Sequence, residues 1–221
     1  EEQFFKLIDD RIEIEKLKSY SEYGIVRLIK TKVGYLMEKG NTEKAWKLIE
    51  ENKHFTEFLK MKIEKAVKSK DYDSAIKLCN DGISTAKKES HSWNGIYWKE
   101  ILLDIYEKKK DIKRIRDISE ELLFNSHNRM KYYKKIKATY VFNDWVTKCE
   151  EIIDKIKGTS KSGDYSDATL LAEIFVEENY KDRLLKLLEI NSTRIEFVDK
   201  FANYVKDDYP EIIIQLFEQA I

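Results

Sequence analysis

A short polar corner followed at once by a helical apolar pattern recurs along this chain. It reads Lys39-Gly40-Asn41-Thr42-Glu43-Lys44-Ala45-Trp46, then Lys70-Asp71-Tyr72-Asp73-Ser74-Ala75-Ile76, then Lys110-Asp111-Ile112-Lys113-Arg114-Ile115. Weaker copies start at Tyr140, Glu178 and Asp207, so successive corners fall roughly 30 to 40 residues apart, the period of helical-hairpin repeats. Gly40-Asn41 suits the positive φ that ends a helix, and Asn or Asp before the next helix caps its free amides. Pro210 stands at a first-turn position, where its missing N–H costs nothing. With one proline and seven glycines among 221 residues, little interrupts a helix, and the fold class is all-α. Periodicity places helices near 2–18, 22–39, 42–52, 55–69, 72–88, 92–109, 112–124, 128–138, 142–157, 166–178, 180–189, 193–206 and 210–220. Aligning the copies on their tyrosines sets Tyr72, Tyr180 and Tyr209 opposite one another, so that Arg183 and Ile212 replace Ala75.

The glycine-bearing polar stretch 158–164 is the one long break. It divides a hairpin array (1–157) from C-terminal repeats (165–221), with a flexible joint or loop between them. The chain opens at Glu1 inside a helical pattern and closes at Ile221 on a helix still apolar on one side. Both ends read as those of a fragment of a longer protein.

The corners and their period resemble the tetratricopeptide-like superfamily. Between about Asp71 and Ile221 the chain is also similar to the helical region downstream of the zinc finger in bacterial SWIM zinc-finger proteins. Three stretches carry that likeness: Asp71-Tyr72-Asp73-Ser74-Ala75-Ile76-Lys77-Leu78-Cys79, Trp98-Lys99-Glu100-Ile101-Leu102-Leu103, and Asp208-Tyr209-Pro210-Glu211. The resemblance implies a right-handed superhelix of antiparallel helix hairpins, an α-solenoid. That family's zinc motif, C-x-C followed by C-x-H, is absent, since the only cysteines, Cys79 and Cys149, lie 70 residues apart. The resemblance therefore implies a metal site outside these residues.

Chemistry has little to work with here. His54, His91 and His127 have no ligand partner at helical spacing, so no metal or other cofactor is expected. No nucleophile stands beside a base, and acid pairs such as Glu120-Glu121 and Asp207-Asp208 are what 41 acids produce on solvated helix faces. The chain reads as non-enzymatic. Both cysteines read as buried, reduced thiols. No apolar run is long enough to span a bilayer, and the default compartment is the cytoplasm.

Charge is the remaining signal. Net charge is zero, but Lys108–Lys137 carries eleven bases against four acids, whereas 164–221 carries thirteen acids against six bases. The candidate partner-binding residues are Arg129, Lys131, Tyr133, Lys134, Lys135 and Lys137, together with Trp93, the tryptophan best placed to be exposed. The competing reading makes Met130, Tyr133, Ile136 and Tyr140 an inward face of a solvated helix.

Three functions stay open. The first is a scaffold or adaptor that binds a protein or peptide. The second is nucleic-acid association through the basic stretch, with tyrosines stacking on bases. The third is a spacer that positions a catalytic domain elsewhere in the parent protein.

Overall fold

The computed structural model describes residues 2–18, 22–88, 92–159 and 165–219, and these contain thirteen helices and no strand. They form two compact units, Glu1–Arg114 and Ile115–Ile221. The first holds α1 (Glu2–Lys16), α2 (Glu22–Glu38), α3 (Thr42–Glu51), α4 (Thr56–Lys68), α5 (Tyr72–Lys88) and α6 (Ser92–Lys109). The second holds most of α7 (Ile112–Asn125), then α8 (Arg129–Lys137), α9 (Phe142–Thr159), α10 (Tyr165–Glu177), α11 (Lys181–Ile190), α12 (Ile195–Ala202) and α13 (Pro210–Gln219). Each expected helix forms close to its expected bounds. The largest departure is α12, which gives way to turns after Ala202. Helix α9 runs two residues into the expected joint, whose residues 160–164 lie outside the described residues.

Four corners share one backbone device. Gly40, Lys70, Lys110 and Asn179 take φ of 75°, 60°, 56° and 56°, the left-handed conformation that stops a helix. In each, the next residue's N–H reaches back to a carbonyl five residues earlier: Asn41 to Leu36, Asp71 to Ala66, Asp111 to Tyr106 and Tyr180 to Phe175, at 2.8–3.0 Å. Asp71 and Asp111 then cap the following helix, their carboxylates accepting the N–H groups of Ser74 and Arg114 at 3.1 Å. Asn41 makes no such side-chain bond.

These corners fix the repeat register. Five residues beyond the left-handed residue lie Ala45, Ala75, Ile115 and Leu184, and nine beyond lie Ile49, Cys79, Ser119 and Leu188, all buried. In α9 the same two positions are Trp145 and Cys149. The tyrosine-based alignment is one residue out for the later copies. Tyr180, not Lys181, follows the left-handed residue, so Leu184 rather than Arg183 faces the core, and Ile213 rather than Ile212 does so in α13. The two cysteines therefore occupy equivalent core positions, and both are free and buried. Burial pushes the Cys79 thiol up to about 12 and also raises that of Cys149, so neither is a ready nucleophile.

Four helix pairs, α1/α2, α3/α4, α5/α6 and α7/α8, run antiparallel. In the first unit, Asp9 pairs with Lys32 while Glu15 lies against Gly24; Glu50 pairs with Lys62 while Trp46 lies under Lys65; Asp73 pairs with Lys109. In the second, Arg116 reaches Thr139 while Arg129 reaches the Leu123 carbonyl, and Trp145 meets Glu178. Helices two apart in sequence lie alongside each other there. Glu120 of α7 bonds Lys148 and Lys155 of α9, and Glu150 of α9 bonds Arg183 of α11.

Candidate partner-binding groove

Helices α8, α10 and α12 build one face of the second unit. Arg129 pairs with Asp167, and Lys134 and Lys137 pair with Glu177 at 3.0 and 3.4 Å, which aligns α8 with α10. On the other side, Glu173 bonds Lys200 at 3.0 Å, and the Tyr165 ring meets Phe197 edge-on at 6.1 Å. Between them lies an open groove of about 850 Å³. Lys134 of α8 stands on one side and Lys200 of α12 on the other, with Met130, Tyr165, Thr169, Glu173, Val176, Glu177 and Tyr204 between them. Tyr165 and Tyr204 are exposed, a wet aromatic surface of the kind that anchors partners.

Several of the candidate partner-binding residues on α8 are internal. Tyr133 is fully buried, and its hydroxyl donates to Glu178 Oε1 at 2.8 Å with Cys149 Sγ at 3.2 Å. Burial, followed by those two neighbours, raises its pKa far above the ordinary phenol value. Tyr133 is thus a core residue and not a partner contact, which corrects the sequence-based assignment; adjacent Tyr132 is equally buried. Arg129 is also internal, spending its guanidinium on Asp167 and the Leu123 carbonyl. Lys137 bonds both Glu177 and Glu178. Lys134 lines the groove with its side chain mostly in solvent. Lys131 is exposed beside the Tyr132 ring, and Lys135 is half-buried. The side chain of Trp93 lies outside the described residues, as does His91.

No family model, curated protein or solved structure matches this chain. The groove's own chemistry must speak for it. Among the described residues, no three His, Cys, Asp or Glu side chains group as a metal site, and no helix is long and apolar enough to cross a membrane. His54 and His127 are exposed.

Sequence reading missed the α10 residues of the groove, although a signal was there. Tyr165, Thr169, Glu173 and Glu177 recur every fourth residue and so share one face of α10. Lys200 and Tyr204 repeat that spacing from α12 into the turn after it.

Ion pairs in the groove and between α7 and α9 are expected to make the unit acid-sensitive. Burial acts to raise the Glu177 pKa, but Lys134 and Lys137 outweigh it and hold the carboxyl below its ordinary value; Glu120 is held down likewise by Lys148 and Lys155. A depressed carboxyl contributes stability above its unfolded-state pKa and loses it as pH falls through the folded value. The urea midpoint is therefore expected to hold from pH 8 to about pH 5 and to drop below about pH 4.5, with about 1 kcal/mol from each site after allowing for solvent screening. Lys134→Met should flatten that descent. Circular dichroism at stepped pH measures both effects.

Proposed function

We propose that this chain is a non-enzymatic, tetratricopeptide-like hairpin scaffold, cytoplasmic, that binds a protein or peptide along the α8–α10–α12 face. The observation that carries this reading is the groove itself, open along three helices, with exposed Tyr165 and Tyr204 between Lys134 and Lys200. Stacked hairpins offer long shallow surfaces of this kind in place of deep pockets. The likeness to the helical part of bacterial SWIM zinc-finger proteins belongs to the same proposal. A nucleic-acid track along α8 is the weaker reading, because both of its tyrosines are buried and Lys134 and Lys137 are engaged by α10.

The test is capture from native lysate, with and without nuclease, by the wild-type chain and a Tyr165→Ala/Tyr204→Ala variant. Protein partners that survive nuclease and are lost in the variant support the reading. Partners lost to nuclease, or retained by the variant, overturn it.

A further inference from the structure

The charges of the groove are layered. In the Lys134–Glu177 pair the lysine side chain is 60% exposed and the glutamate 28%. In the Lys200–Glu173 pair the values are 48% and 36%. The first unit shows both orders: Asp9 is 58% exposed against 14% for Lys32, whereas Lys18 is 52% exposed against 14% for Glu15. Along the groove the lysine side chains on both sides are thus more exposed than the α10 carboxylates they pair with.

A balanced set of residues thus presents a cationic surface. Each ammonium carries three donors, more than the carboxylate beneath it takes. Exposed pairs contribute little to stability, so an incoming carboxylate can share the lysine without a large loss. Between the two lysines lie the Tyr165 and Tyr204 rings and half-buried Met130 and Val176. Such a surface takes bulky apolar side chains.

The geometry points to an acidic peptide segment as the ligand, its carboxylates meeting Lys134 and Lys200 and its apolar side chains meeting the tyrosines. Nucleic acid fits less well, because a phosphodiester carries a charge at every nucleotide and must bring some of them over Glu173 and Glu177. A peptide can place neutral residues there. This inference rests on the protein-binding reading and narrows it to one ligand chemistry.

Fluorescence anisotropy on the full chain tests it with four labelled probes. Three are short peptides sharing the same Leu and Phe positions, with Glu, Ser or Lys at the remaining ones; the fourth is oligouridine RNA. The Glu peptide is expected to bind at least about tenfold tighter than the other two peptides, and more weakly as salt rises. Lys134→Glu/Lys200→Glu should abolish that preference, while Lys134→Arg/Lys200→Arg should keep it. A thermal melt of each variant separates lost binding from lost folding. Equal binding of the Ser or Lys peptide overturns the acidic assignment, as does no binding of any peptide. If lysate partners still depend on Tyr165 and Tyr204 in that case, the scaffold reading survives it. RNA binding that the charge reversal abolishes, with no peptide bound, overturns both.

Discussion

Glu178→Ala is expected to destabilise the second unit by about 3 kcal/mol, through the loss of a single carboxylate that ties three helices. Glu178 follows α10, and one of its oxygens accepts from the Tyr133 hydroxyl at 2.8 Å and from Lys137 Nζ at 2.9 Å, both on α8. The other accepts from Trp145 Nε1 on α9 at 3.1 Å. Trp145 and Tyr133 are themselves buried and meet edge-on at 5.2 Å. Truncation leaves the indole N–H without its acceptor and opens a void, and the tyrosine keeps only the weak Cys149 sulfur. Glu178→Gln keeps a carbonyl acceptor but loses the charge facing Lys137, and should cost about half as much. Urea melts followed by tryptophan fluorescence and by circular dichroism give both values. If Glu178→Ala lies within about 0.5 kcal/mol of wild type, the carboxylate is not the tie described.

Gly82→Ala should cost the first unit about 1–3 kcal/mol, although alanine is the better helix former. Gly82 faces α6 from within α5, and a methyl group there would sit 2.7 Å from Trp98 Nε1 and 2.8 Å from Cε2. The indole is almost wholly buried, so the methyl group forces a packed ring to shift. At an exposed helical site the same change would stabilise, so the sign of the effect is the diagnostic. Trp98→Phe, which shortens the ring, should recover part of the loss when combined with Gly82→Ala. That departure from additivity marks a direct contact. Simple addition of the two effects would place the strain elsewhere.

The thirteen helices were legible because their signals are local. A glycine or asparagine corner, an aspartate cap and an apolar period all lie within a few residues of the structure they specify. Even the slip at Tyr180 has a local cause, since Asn179 rather than a glycine takes the left-handed turn and the tyrosine offered a more visible landmark. The fate of α8 was not legible. It has nine residues, and a basic composition suggests a solvated helix. Yet Tyr132 and Tyr133, about 100° apart around the helix, are both buried, because α8 is enclosed on more than one side. Charge counting failed for a related reason. It found a basic stretch and an acidic one without showing that Glu177 and Glu178 would fold back onto Lys134 and Lys137. Nor can a sequence say which partner of an ion pair stands in water.

The equivalence of Cys79 and Cys149 has a practical consequence. The chain has no other thiol, and one falls in each compact unit at the same depth of the same repeat position. Each unit thus contains its own chemical reporter of opening, inert while folded and alkylated once exposed. Partial unfolding leaves a signature by mass: one label if a single unit opens, two if both do, and the modified peptide names the unit.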